Sequence, residues 1–199
     1  RGDNSSLVNT AAALNLGKLA SVWWEQPQSV RDGINRFRAD VFGPMARELT
    51  FEFGANDSSE LRELRETVIT AAASAGDTWT LDEIRRRFAP LQEHGDYSLI
   101  HPDLLRTVLS QAVKHGGEAE YETVMGVYRA PPTPAHKTSA MVALGTTQDA
   151  ALIQRTIEFV FSGQVKTQDF MYFFMSLSSN PRSRRILWET VKSRFDDLV

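Results

Sequence analysis

Apolar residues recur along the chain at the spacing of one face of an α-helix. One such stripe, with steps of three or four residues, consists of Leu61, Leu64, Val68 and Ala71. The same spacing returns within 105–112, 153–161 and 187–198. No stretch alternates strictly between apolar and polar residues, as a half-buried strand would. The pattern therefore predicts an all-α protein.

Signals for helix ends agree with the apolar spacing. Thr80 and Glu83 have the spacing of a capping box, which predicts a helix start at Thr80. The pairs at 133–134 and 180–181 each place a capping residue before a proline, and the first helical position tolerates proline well. We predict ten helices, at 5–25, 29–50, 58–75, 80–92, 102–115, 118–129, 134–144, 148–162, 168–177 and 181–197.

The predicted helices are joined by short connections, which favours antiparallel packing of neighbours. Successive pairs begin about 35–55 residues apart, near the period of HEAT and armadillo repeats. No linker or low-complexity tract divides the chain. We therefore predict a single all-α domain over residues 1–199, arranged as a superhelix of HEAT/armadillo-like helix pairs.

The composition of the chain excludes several kinds of functional site and partner. None of the 199 residues is a cysteine, which excludes disulfides, a thiol nucleophile and cysteine-ligated metal. A net charge of -3 argues against a nucleic-acid partner, whose binding domain is usually basic. No run approaches the roughly 18 apolar residues of a membrane span, so we expect none in this chain. The chain begins without Met or a signal-peptide core, and we expect it to be part of a longer protein.

Catalytic motifs are missing from the sequence. The four histidines, at positions 94, 101, 115 and 136, are too far apart for the i, i+4 pair that binds zinc on a helix. The chain contains no G-x-S-x-G nucleophile elbow and no phosphate-binding Gly-Lys-Ser/Thr loop. We therefore assign no catalytic residue, no metal ligand and no cofactor to this chain.

The second half carries motifs of a known family. They run from Tyr121-Glu122-Thr123-Val124-Met125-Gly126-Val127-Tyr128 through Pro131-Pro132-Thr133-Pro134-Ala135-His136-Lys137 to Ala143-Leu144-Gly145-Thr146-Thr147-Gln148-Asp149, then Gln168-Asp169, Asn180-Pro181, Arg184 and Trp188. This stretch resembles the C-terminal helical domain of zinc aminopeptidases of the aminopeptidase N, puromycin-sensitive and endoplasmic-reticulum type. Earlier segments fit more loosely, and Ser183 replaces a glycine usual in the family.

The resemblance implies a non-catalytic role. In the family this domain caps the catalytic domain, shapes the peptide-substrate chamber and contacts the distal part of the peptide. The parent is expected to be a zinc-dependent metalloprotease acting as an aminopeptidase. The expected partners of this fragment are the catalytic domain of the same polypeptide and the peptide. An independent HEAT-like protein-binding module remains the alternative. The compartment stays open, with the cytoplasm favoured.

Five residues are candidates for substrate contact: Arg184, Asn180, Gln168, Asp169 and Tyr172. Arg184 and Asn180 belong to a basic segment that suits a peptide carboxylate, or alternatively form an ion pair and a helix cap. Gln168 and Asp169 stand at a helix start, where Asp169 either caps or contacts substrate. Tyr172 belongs to an aromatic cluster that predicts a helix buried all round, and it is the member expected to reach a cavity. Trp188 is predicted to be core.

Overall fold

The computed structural model describes residues 6–194. Its ten α-helices are α1 (Ser6–Val22), α2 (Gln28–Leu49), α3 (Ser59–Ala75), α4 (Thr78–His94), α5 (Leu105–His115), α6 (Glu118–Arg129), α7 (Pro134–Leu144), α8 (Ala150–Val160), α9 (Thr167–Ser179) and α10 (Arg184–Ser193). Short 3-10 segments follow α1 and precede α5, at Trp23–Glu25 and Pro102–Leu104. No strand occurs within residues 6–194, and the all-α prediction is confirmed.

The chain divides into two compact units. The first runs to Pro90 and also includes Asp96–Thr107, whereas the second comprises Leu91–Gly95 and the residues from Val108 onward. In the first unit, α3 packs against both α1 and α2. Phe42 of α2 and Val68 and Ala72 of α3 are fully buried there. The alanine-rich last turns of α3 present small side chains, which let neighbouring helices approach closely.

The second unit is built around α6, α7 and α9. α7 packs against both of the others. Tyr121 of α6 is fully buried, and its hydroxyl lies 2.9 Å from the hydroxyl of Thr156. A buried phenol needs such a partner, because an unsatisfied polar group costs free energy in the core. Phe173 of α9 is also fully buried, and its ring makes edge contacts with Tyr128 and Phe159.

Four predicted helix starts, those of α4, α5, α8 and α10, differ from the structure by two or three residues, and the reason is clear for two of them. α4 begins at Thr78, because the Asp77 carboxylate accepts the backbone N–H of Thr80 at 3.0 Å and so occupies the capping position. α10 begins at Arg184, because the Asn180 side chain bonds carbonyls of another loop instead of opening a helix at Pro181. The predicted end of α10 at residue 197 lies outside the described residues.

Two burial predictions were also wrong. Trp188 is 59% exposed, because the inward side of α10 is taken by Ser183 and Leu187, and Trp188 stands about 100° further round the helix. The helix α9 is not buried all round. Only Phe173 of its aromatic cluster is fully enclosed, while Tyr172 is exposed together with Met171.

Candidate functional site

The starts of α7 and α9 lie side by side in the second unit. Thr133 caps α7, and its hydroxyl lies 2.8 Å from Nδ1 of His136. Pro134 fills the first helical position, where its missing N–H is not needed. Lys166 precedes α9 without a side-chain cap. Two positive helix ends therefore meet in one place, which favours negatively charged or carbonyl groups nearby.

An ion pair joins the first turns of these two helices. Lys137 Nζ donates to Asp169 Oδ2 at 2.7 Å, and the side chain of Asp169 is almost completely buried. The hydrogen bond to Asp169 raises the pKa of Lys137, so the ammonium stays charged at neutral pH. Its Nζ also lies 5.3 Å from the centre of the Tyr128 ring, and burial raises the pKa of that phenol. The pair therefore holds a charged ammonium group in a fixed place.

A cavity of about 290 Å³ opens beside this ion pair. Its walls come from α7 and α9 and consist of Pro134, Lys137, Thr138, Met141, Gln168, Asp169 and Tyr172. The ammonium, the Gln168 amide and the Tyr172 hydroxyl are hydrogen-bond donors suited to carbonyl or carboxylate oxygens. Met141 and Pro134 add apolar wall. This arrangement can donate hydrogen bonds to a ligand that carries such oxygens.

The structure brings together three of the five candidate residues. Gln168, Asp169 and Tyr172 line the cavity, whereas Asn180 and Arg184 do not. Lys137 was missed as a candidate. The sequence did contain a clue to Lys137, because the residue lies one turn after the capping pair at 133–134 and therefore projects from the start of the same helix.

Asn180 is buried and holds a turn together. Its side-chain amide donates to the carbonyls of Gly145 and Thr147, at 3.1 and 2.8 Å. Its Oδ1 accepts the backbone N–H of Arg182 at 3.1 Å and the side-chain amide of Gln148 at 3.3 Å. The four bonds use the full capacity of the side chain. Asn180 therefore fixes the α9–α10 turn against the loop that follows α7.

Arg184 is the first residue of α10 and is half-buried. Its backbone N–H donates to the Asn180 carbonyl at 3.0 Å, so the turn determines where its side chain starts. Within residues 6–194, no carboxylate lies at ion-pair distance from its guanidinium. A half-buried arginine without a carboxylate partner is suited to bind an anion.

No part of the described structure fits a zinc centre. Among residues 6–194, no three potential ligands of the His, Cys, Asp or Glu type come together. The histidine spacing in the sequence is equally unsuited to zinc. Within the same residues, no helix is both long and apolar enough to cross a membrane.

The fold and the site define an all-α domain with a polar cavity at the paired starts of two helices. A family model described as "ERAP1-like C-terminal domain" matches residues 1–199, and the chain belongs to that family. The resemblance drawn from the motifs of the second half is thereby confirmed.

Several proteins named as aminopeptidases are similar to this chain. Alanine/arginine aminopeptidase of Saccharomyces cerevisiae is 25% identical over 200 residues, which cover 100% of this chain and 23% of that protein. Aminopeptidase 2, mitochondrial, of the same yeast is 27% identical, over 93% of this chain and 19% of that protein. Aminopeptidase M1 of Arabidopsis thaliana is 26% identical, over 90% and 20% respectively. The chain thus spans about a fifth of the length of these relatives.

Proposed function

We propose that this chain is the non-catalytic C-terminal domain of a zinc metallo-aminopeptidase, where it caps the catalytic domain and shapes the peptide-substrate chamber. The observation that carries the proposal is the family match, which covers the whole chain but corresponds to about a fifth of each aminopeptidase relative. The sequence supports a non-catalytic role, because it contains no H-E-x-x-H motif with which such an enzyme binds zinc. Zinc and the reacting groups then belong to the catalytic domain.

The cavity at the starts of α7 and α9 is the proposed contact for the distal part of the peptide. Lys137 donates to a peptide carbonyl or carboxylate, with Gln168 and Tyr172 as neutral donors beside it. Asp169 acts through Lys137, because its carboxylate fixes the ammonium in the cavity wall. Such contacts change how tightly a long peptide binds without taking part in the cleavage of its first bond.

Arg184 is the proposed second contact for an anionic group of the peptide. Its support is its half-buried position and the lack of a carboxylate partner among residues 6–194. Asn180 is proposed to position Arg184 through the α9–α10 turn, since the Asn180 side chain already bonds internal groups.

The experiment compares substrates of different length in the full-length enzyme. Lys137→Met or Arg184→Ala is expected to raise KM for peptides of about ten residues by roughly 10–100-fold, the worth of a hydrogen bond to a charged group. A single-residue chromogenic substrate does not reach these groups, so its kcat/KM is expected to stay within about twofold. Lys192→Met, which removes an exposed lysine of α10 away from the cavity, is the matched control.

Two outcomes would contradict the proposal. Equal losses for long and short substrates would mean that the two residues act on the enzyme as a whole. A full-length reading frame that lacks H-E-x-x-H and its downstream glutamate would instead favour the independent helical protein-binding module.

A further inference from the structure

Arg38 of α2 is a buried arginine without a counter-ion among residues 6–194. Only 6% of the residue is exposed, and burial lowers its pKa. Its Nη1 donates to Oδ1 of Asn35 at 3.2 Å, while its Nε is closed to solvent and has no partner. Among residues 6–194, no carboxylate stands within ion-pair distance of the group. An uncompensated buried charge is costly, so its presence requires an explanation.

The other buried arginines of the described structure are paired. Arg65 donates to Asp57 at 2.6 Å and to the carbonyl of Leu49 at 2.9 Å. Arg87 lies 2.7 Å from Glu52 and also bonds Glu83. Both follow the general rule that buried charges are neutralised by a partner. Arg38 is thus an exception within its own unit.

A second arginine extends the same stripe of α2. Arg31, Asn35 and Arg38 stand at i, i+4 and i+7, which places them on one helix face. Nε of Arg31 is also closed to solvent and without a partner, and its guanidinium lies 4.6 Å from the Trp24 ring centre. The face therefore carries two guanidinium groups separated by an amide, and the guanidinium of Arg31 also donates to Oε1 of Gln28. Guanidinium groups bind carboxylates through parallel N–H donors.

We infer that Arg38, assisted by Arg31, is one half of a buried ion pair whose carboxylate is an Asp or Glu side chain from a part of the parent polypeptide outside these 199 residues. This rests on the proposed function in one respect, since it requires the longer parent. The chain spans about a fifth of its relatives, so most of such a protein would lie elsewhere. With 6% of Arg38 exposed, little of the residue reaches solvent, and the carboxylate would approach through that part.

The neighbouring helix α1 supports a polypeptide as the source. It contacts α2, and its outward side carries exposed apolar residues interrupted by Lys18. Leu7, Leu14 and Val22 on this side are 82%, 59% and 76% exposed. Exposed apolar residues of this kind are typical of a surface that another protein segment covers. The carboxylate would arrive with the segment that covers α1.

The test uses thermal unfolding of the full-length protein. Arg38→Met is expected to lower Tm by about 4 °C or more, because it leaves the incoming carboxylate buried and unpaired. Arg38→Lys keeps a charge of the same sign and is expected to lower Tm by less than half as much. Should Arg38→Met fail to fold, Arg38→Lys alone remains informative. An unchanged or higher Tm for Arg38→Met would overturn the inference, since it would show that a lone charge had been removed. A fall for Arg38→Lys as large as that for Arg38→Met would also overturn it, since the positive charge would then contribute nothing.

Two controls fix the interpretation. The carboxylate partners of Arg87 lie within this chain. Arg87→Met should therefore lower Tm whether or not another part of the polypeptide supplies a carboxylate to Arg38. Potassium acetate tests for a free ligand: a rise in Tm for the wild type but not for Arg38→Met would assign the site to a dissolved carboxylate and overturn the internal partner. Peptidase activity of the same preparations tests the proposed function separately. If the parent protein has no peptidase activity but Arg38→Met still lowers its Tm, the ion pair is supported and the proposed enzymatic role is contradicted.

Discussion

Phe173 and Trp188 are large aromatic residues on successive helices with opposite environments. Phe173 is fully buried against the rings of Tyr128 and Phe159, whereas Trp188 is 59% exposed, with Lys192 Nζ 5.7 Å from its ring centre. The apolar spacing of the sequence predicts both as core. The spacing could not show that Trp188 is exposed, because Leu187 and Trp188 both fit the apolar stripe of α10. Which of these two residues is buried depends on the helix that α10 packs against.

Substitution to alanine should separate these two residues. Phe173→Ala is expected to lower the free energy of unfolding by about 3–5 kcal/mol, through lost burial and the cavity left behind. Trp188→Ala is expected to cost less than about 1 kcal/mol, because an exposed side chain loses little packing. Urea denaturation followed by circular dichroism measures both values. A large loss for Trp188→Ala in this chain would show that its ring is buried in solution.

At the level of elements, the α9–α10 turn shows where local sequence signals fail. Asn180 before Pro181 is a normal helix-start signal. The buried carbonyls of Gly145 and Thr147 instead take its amide, and α10 begins four residues later, at Arg184. A cap contributes about 1 kcal/mol, whereas carbonyls left unsatisfied in the interior cost more, so the tertiary bonds prevail.

Asn180→Ala tests this turn. It leaves the buried carbonyl of Gly145 without this donor and that of Thr147 with only the 3.4 Å bond from Gln148. We expect a loss of about 2–4 kcal/mol in the free energy of unfolding. Gln148→Ala, which removes a partly exposed partner of Asn180, is the matched control and should cost less than about 1 kcal/mol. Urea denaturation of both variants gives the comparison. Equal small losses would mean that water replaces the Asn180 bonds.

At the level of the whole molecule, we expect the chemistry proposed for the parent protein to lie outside this chain. We expect the purified 199-residue chain to hydrolyse no aminoacyl substrate with or without added zinc, because it has no H-E-x-x-H motif. The full-length parent should hydrolyse such substrates, lose activity to a chelator and regain it with zinc. A chromogenic assay on both proteins decides this. Zinc-dependent hydrolysis by the isolated chain would place catalytic groups within it.

The sequence by itself determined the all-α class, most helix positions and the family, because apolar spacing, capping residues and motifs are local properties of the chain. It also indicated Gln168, Asp169 and Tyr172. Only the tertiary structure decided that these residues share a cavity with Lys137 and that Asn180 bonds internal carbonyls. It also decided that Arg38 is buried with no counter-ion in the described part of the chain. The physical reason is that pairing and burial depend on which helices meet, and residues more than 30 positions apart carry no local signal of that.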